Sequence, residues 1–388
     1  MNIVQTTITY PPALGGMDRY VRETSDGLVT RGHRVVVVTT DLEQPLSRQR
    51  LTIPAGYVDS AEVHRLRASR IPRLAYPFAL GMKAAIRRSM PDVIHTHGVM
   101  YSPALFSWQV ARRSKVPLVI NSIFSPRYGF VWDRYLRLAR RIMNDAACVI
   151  AISEFERSLL IKGGMTADKV VVLSPGVDLS PLQVRHASIF PRYGIADNRV
   201  IVSLGRLAFG KRVDRLIQSL PSVIAKHPDV RLLIIGPDYG DEARLRQLVQ
   251  SLDLARFVTF AGPLPQDEVT AALQCASLFA MTTDFELFGI TLIEAMAAGA
   301  AVVAPDVASI PNVVRNGETG LLYRHDDVSD LSAKLNLVLG ADVLARHLVD
   351  TGKRDAATRF DFQRNLDALE DIYRKACSGV VRRRSSAG

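Results

Sequence analysis

Cysteine is scarce in this chain, with three in 388 residues. Cys148, Cys275 and Cys377 are far apart and odd in number, which argues against a disulfide framework or a zinc site and for a reducing cytoplasm. Aromatic residues make up 7% of the chain, and its basic half has neither a stacking series nor a recognition motif, so a nucleic-acid partner is not expected. Long hydrophobic runs are missing too. The longest candidate, ITLIEAMAAGAAVVAP, contains Glu294 and two turn signals and is too short to span a bilayer. The opening MNIVQTTITYPP has no basic n-region, so no secretory signal is expected. No short-period repeat is present.

What is there reads as a two-domain α/β protein. A 48% hydrophobic and 22% charged composition is ordinary for a soluble enzyme, and 388 residues are long for one core. Short Val/Ile-rich runs such as HRVVVVTT and ACVIAIS alternate with amphipathic helices, the mark of a parallel sheet covered on both faces. The mixed stretch from Gly176 to Arg199 reads as a connection, after which the pattern restarts at RVIVSLGRL. Domains are expected at 1–180 and 195–358, with a last helix and basic tail over 359–388 that could pack on either half. Two such domains would turn the carboxyl ends of their strands, where α/β sheets bind ligands, toward one cleft.

The net charge of +11 lies wholly in the first half, where residues 1–190 hold 25 Lys/Arg against 14 Asp/Glu. Residues 64–141 alone carry 15 basic against two acidic side chains. A field of that kind recruits something anionic. In WDRYLRLARRIM the helical period puts Trp132, Tyr135, Leu136, Ala139, Ile142 and Met143 on one face and Arg134, Arg137, Arg140 and Arg141 on the other. That face suits either a membrane interface or the helix's own sheet. HRLRASRIPRLAYPF upstream and RRRSSAG at the tail add basic charge.

Four loops carry candidate chemistry. Gly15 and Gly16 follow the first strand and open a helix, where the backbone can approach an anion, although such a turn is also common without function. His95 and His97 end an apolar strand and point the same way. A metal pair lacks an evident third ligand, and a satisfied structural histidine is the plainer alternative for His97. Arg206 and Lys211 lie on the loop after a strand and before a helix starting at about Val213, which suits a diphosphate or simply a solvated basic loop. In TDFELFGITLIEAMAAG, Glu286 lies on a loop and Glu294 one to two turns into the helix after Gly289. Thr283, Asp284 and the amides of Gly289, Ile290 and Thr291 stand at that helix's start. A buried Glu294 needs a partner, either a ligand or an arginine, and Glu286 could equally be a first-turn acid complementing the dipole.

The motifs Gly15-Gly16, DVIHTHG, IAISEFE, VVLSPGVD, GRLAFGK, ELFGITLIE and NGETGLLY occur in one order along nearly the whole chain. Together they resemble the GT-B glycosyltransferases, in particular the retaining family 4 of group 1 type. The resemblance implies two Rossmann-like domains facing across a cleft and transfer of a sugar from a UDP- or GDP-sugar to a glycan or lipid-linked acceptor. No metal or other cofactor is then expected. It places the donor phosphate at Gly15 and Gly16, the diphosphate at Arg206, Lys211 and the 289–291 amides, the ribose at Glu294, and the sugar at Glu286 and His97. It also implies an acceptor-binding first domain, and with its charge a peripheral position on the cytoplasmic face of an anionic membrane. Ala308-Ser309 and Asn312 depart from the family's Gly-Gly and Glu, and Leu287 stands where Gly or Pro is common. Alternatives are a nucleotide-sugar 2-epimerase, a basic nucleic-acid-binding protein and a silent scaffold. The pairing of Glu286 and Glu294 counts against the first, and the retained Arg206, Lys211 and both glutamates count against the last.

Overall fold

The computed structural model describes residues 1–13, 15–45, 49–53, 59–69, 77–124 and 132–385, with the side chains of 132–135, 183 and 380–385 left out. The chain divides into two compact units, Met1–Pro175 with Gln363–Gly388, and Gly176–Phe362. In the first, the strands are β1 (Asn2–Thr6), β2 (Arg34–Thr40), β3 (Glu62–Leu66), β4 (Ala68–Ser69), β5 (Phe78–Ala79), β6 (Val93–His97), β7 (Leu118–Asn121), β8 (Cys148–Ala151) and β9 (Val170–Val172). Seven form a parallel sheet in the order β3-β2-β1-β6-β7-β8-β9, while β4 and β5 pair separately and antiparallel. Its central strands are apolar on both faces: Val35, Val36, Val37 and Val38 are all buried, as expected where helices cover both sides.

The second unit holds β10 (Arg199–Leu204), β11 (Val230–Ile235), β12 (Val258–Gly262), β13 (Leu278–Ala280), β14 (Ala301–Asp306) and β15 (Leu321–Arg324). They pair in parallel in the order β12-β11-β10-β13-β14-β15, a doubly wound sheet. Its core joins Ile201, Leu232, Ile234 and Val303 of the sheet to Leu216 and Leu220 of the Val213–Ile224 helix and Leu335 of the Val328–Gly340 helix.

Each sheet reverses its winding once, between β1 and β6 in the first unit and between β10 and β13 in the second. At such a point adjacent loops leave the carboxyl ends of neighbouring strands in opposite directions and open a crevice. In the second unit the loops after β10 and β11 touch through backbone. Gly205 donates its amide to Ile235 O at 2.9 Å, and Gly236 has a φ of 142°. A Cβ on Gly236 would lie 2.0 Å from Gly205 O.

The basic helix runs Trp132–Asp145. Of its apolar face, Ala139, Ile142 and Met143 are buried in the unit's core and Leu136 packs against them, while Arg137, Arg140 and Arg141 are exposed. From Leu136 to Met143 that face is occupied by the chain's own sheet layer. The side chains of Trp132, Arg134 and Tyr135 lie outside the description, as do residues 70–76 of the upstream basic segment and the side chains of the tail. Among the described residues no helix is long and apolar enough to cross a membrane.

Candidate active site

At the β10/β13 reversal two loops are stitched together. The Asp284 amide donates to Gly210 O at 2.9 Å, Thr283 Oγ1 donates to the same oxygen at 3.2 Å, and Thr282 Oγ1 donates to Lys211 O at 3.0 Å. This stitching brings two of the sequence-derived candidates into contact. Lys211 Nζ donates to Glu286 Oε2 at 2.8 Å, and both side chains are partly exposed. Arg206 is exposed on the same loop, its guanidinium over the Tyr239 ring at 5.0 Å. Arg206, Lys211, Thr282 and Thr283 share the lining of a small pocket.

The helix after Glu286 runs Ile290–Ala298, capped by Gly289 in the left-handed region at φ 92°. A Cβ on Gly289 would meet Leu292 Cδ1 at 2.8 Å, so only glycine makes this turn without strain. Ile290 and Thr291 stand in the first turn, where helical amides have no intrahelical acceptor. Glu294 is 3% exposed in a helix that packs on the Gln266–Cys275 and Asp342–Arg359 helices and on β14.

Behind this surface lies a charge network that the sequence reading did not anticipate. Thr283 and Asp284 were expected at the helix start as part of an anion site. Asp284 instead turns to Arg215 (2.8 Å), Arg212 (3.4 Å) and His325 (3.3 Å). Arg215 is 3% exposed at its side chain and also pairs with Asp326. Burial pushes the Asp284 carboxyl up, but the two guanidiniums outweigh it and hold the group below the usual carboxylate range. Arg212 adopts a left-handed φ of 50° at the start of Val213–Ile224 and also holds Asp214 at 3.1 Å. The one sequence signal was the i, i+3 spacing of Arg212 and Arg215 beside an apolar helix.

Ser309 was also unanticipated as a site residue. It is fully buried, and both its Oγ (2.7 Å) and its amide (3.3 Å) donate to the carbonyl oxygen of Glu286. Its neighbour Ala308 takes a left-handed φ of 50°, the backbone shape that a glycine pair adopts freely. Ser309 thus brings to this turn a side-chain donor that a glycine there would lack.

In the first unit the polar side chains at the ends of β1 and β6 are neutral ones, Gln5, His95 and His97. Gly15 caps and Gly16 begins the Gly16–Thr30 helix, and Leu14 lies outside the described residues. The first turn already contains a buried acid, Asp18, whose Oδ1 accepts from Thr9 Oγ1 at 2.6 Å. His97, fully buried, donates Nε2–H to Gln5 Oε1 at 3.0 Å, which leaves Nδ1 as an acceptor. His95 packs its ring 4.2 Å from that of His97 and meets Tyr373 OH at 2.7 Å. Burial drives the His95 pKa down to about 3, and burial together with the neighbouring His95 holds His97 well below its ordinary value. Both are neutral at pH 7. Gln5 Nε2, His95 Nε2, His97 Nδ1 and both polar atoms of the Asn121 side chain find no hydrogen-bond partner among the described residues.

Among the described residues no three His, Cys, Asp or Glu side chains are grouped to hold a metal. The carboxylates of DFE at 284–286 are taken up by cations of the chain itself: Asp284 faces arginines and Glu286 faces Lys211.

The comparisons with known proteins agree on one enzyme class. A family model described as Glycosyltransferase Family 4 matches residues 14–181, and one described as Glycosyl transferases group 1 matches 187–355. The chain is 26% identical over 401 residues to the D-inositol 3-phosphate glycosyltransferase of Streptomyces bingchenggensis, covering 96% of this chain and 88% of the relative. It is 28% identical over 351 residues to a GDP-mannose-dependent alpha-(1-6)-phosphatidylinositol monomannoside mannosyltransferase of Mycolicibacterium smegmatis, covering 86% and 88%. Anabaena HepE in complex with UDP shares the fold with a TM-score of 0.79 at 20% identity, over 96% of this chain and 99% of the other. With two doubly wound units and models matching both halves, the chain has the GT-B fold and belongs to the group 1, family 4 glycosyltransferases.

Proposed function

We propose that this glycosyltransferase is a retaining enzyme that moves a sugar from a UDP- or GDP-sugar to a hydroxyl of a glycan or lipid-linked acceptor in cell-surface polysaccharide, lipopolysaccharide or glycolipid assembly. The observation that carries the proposal is the Lys211–Glu286 pair at the β10/β13 reversal, with Arg206 on the same loop. Arg206, Lys211 and the amides of Gly289, Ile290 and Thr291 take the diphosphate. Glu294 takes the ribose hydroxyls and Glu286 the sugar hydroxyls. In the first unit Gly15 and Gly16 offer backbone to the donor phosphate, and His97 lines the donor-sugar site near the reacting carbon.

As the bond from the anomeric carbon to the phosphate oxygen breaks, negative charge grows on the diphosphate. Fixed cations and helix amides stabilise that charge more in the transition state than in the ground state. The acceptor oxygen bonds to the anomeric carbon on the face the phosphate leaves, and the departing phosphate oxygen takes the acceptor's proton. The countercharge comes from side chains, so no resident metal enters the proposal. HepE was solved with UDP and the Mycolicibacterium relative is named for GDP-mannose, so both bases belong in the test. Calorimetry with UDP and GDP should show binding of at least one, weakened about 100-fold in Lys211→Ala, the scale for losing one partner of a desolvated charge pair. No binding of either nucleotide overturns the reading. A donor screen against lipid-linked acceptors then identifies the sugar.

The proposal extends to a peripheral position on the cytoplasmic face of an anionic membrane, supported by the charge excess of residues 1–190. Because the described part of the 132–145 helix spends its apolar face on the core, attraction rests on charge rather than insertion. Sedimentation with anionic liposomes should show binding at low salt that is lost at high salt. Absence of binding at low salt removes this part.

A further inference from the structure

In the proposed reaction Lys211 and Glu286 serve different parts of the donor, a phosphate and a sugar. In the structure they serve each other at 2.8 Å, with side chains 29% and 22% exposed. Among the described residues Lys211 Nζ has no second partner, and the other Glu286 oxygen accepts the Leu287 amide at 3.2 Å. The backbones on both sides are pinned. The Lys211 amide donates to Ala208 O at 2.8 Å, its carbonyl accepts from Thr282, and the Glu286 carbonyl is held twice by Ser309. Exchange is therefore confined to two side-chain ends, an ammonium and a carboxylate.

We propose that Glu286 is an exchangeable counter-ion of Lys211 that weakens retention of the nucleoside diphosphate product. The inference rests on the roles proposed above for these two residues. An intact donor brings its own replacements: the diphosphate takes the ammonium, and the sugar hydroxyls donate to the carboxylate that gave it up. Both ends of the ion pair are then satisfied, and the exchange is nearly balanced. After transfer the sugar is gone while the diphosphate remains. The carboxylate has lost its hydroxyl donors and stands beside a second anion, competing for one ammonium. Ser309 keeps the Glu286 backbone in place, so the carboxylate cannot withdraw with its peptide. The same pair that accommodates the substrate disfavours the product.

The test is calorimetry of the full chain with UDP and GDP at low ionic strength. Glu286→Gln keeps the shape and removes the charge, so it should bind the nucleoside diphosphate about three- to tenfold more tightly than the parent. It should bind the intact sugar nucleotide no more tightly. In a Lys211→Ala background the same substitution should leave nucleotide affinity unchanged, because the competition acts through that ammonium. Equal or weaker nucleotide binding by Glu286→Gln overturns the inference and leaves the proposed function standing. An equal gain in the Lys211→Ala background also overturns it, since that gain reflects general charge removal. A parent chain that binds neither nucleotide overturns both.

Discussion

The two winding reversals make an instructive pair. The one in the second unit is built from charges that neutralise one another: Lys211 with Glu286, and Arg212 and Arg215 with Asp284. The one in the first unit has one buried acid, Asp18, in its helix turn, but its strand ends carry neutral groups: two uncharged histidines with a glutamine and an asparagine whose hydrogen-bonding capacity the described protein atoms leave partly unused. The same topology thus carries two chemistries. A diphosphate calls for fixed cations, and cations this close need carboxylates to hold them before a ligand arrives. A hydroxyl-rich ligand calls for neutral donors and acceptors, which burial supplies by suppressing ionisation.

The comparison breaks most visibly if the charged side loses its counter-ion. Asp284→Asn leaves Arg215, almost fully buried, with Asp326 as its one remaining ion-pair partner among the described residues. We expect a loss of about 3 kcal/mol, read by urea denaturation. A carboxyl held below its unfolded pKa adds stability above about pH 3.9, and that stability disappears as pH falls through the folded value. The variant should therefore lack part of the acid-side loss seen in the parent.

The neutral side should show its own signature at milder acidity. His95 and His97 have folded pKa values below the ordinary value near 6.5, so the unfolded chain takes up protons first. Their contribution is fully present above about pH 6.5 and falls as pH drops toward the folded values, by about 2 kcal/mol for each buried ring between pH 6.5 and 5. Denaturation across that range in the parent and in His95→Gln measures it, since the variant should lose a smaller amount. NMR should find both imidazoles still neutral at pH 5. An imidazolium at that pH would remove the distinction between the two reversals.

The smallest expected effect sharpens the comparison at Ser309's neighbour. Ala308→Gly relieves a left-handed φ but adds freedom to the unfolded chain, so the two changes should nearly offset, within about 1 kcal/mol. Ser309 remains to hold Glu286, and nucleotide affinity should stay as in the parent. A marked affinity change would show that the site depends on the shape of this turn.

Much of this is legible in the sequence. Alternating Val-rich runs and amphipathic helices announce two parallel sheets, because strands buried on both faces must be apolar throughout. The helix start at Gly289 and the one at Val213 followed from glycine and from the strand–loop–helix pattern. What could not be read was pairing across distance. Asp284 is 69 residues from Arg215, and nothing in TDFE says whether its carboxylate faces a helix start or an arginine. The roles of Gln5 and Ser309 were hidden for the same reason: each acts through hydrogen bonds to a residue distant in the sequence, Gln5 to His97 and Ser309 twice to the Glu286 carbonyl. Local periodicity encodes elements and faces; it does not encode which polar side chain meets which.

The close approach of Gly236 to the Gly205 carbonyl has a bearing on how this protein could change. With only 2.0 Å between that oxygen and any added Cβ, position 236 admits no side chain at all, whatever its chemistry. A library randomised there should return glycine alone among folded clones, while Tyr239, three residues on and partly exposed, accepts a range. Drift toward a new donor is thereby channelled: the seam between the loops after β10 and β11 is closed to innovation, and variation is left to the side chains that hang from its far end.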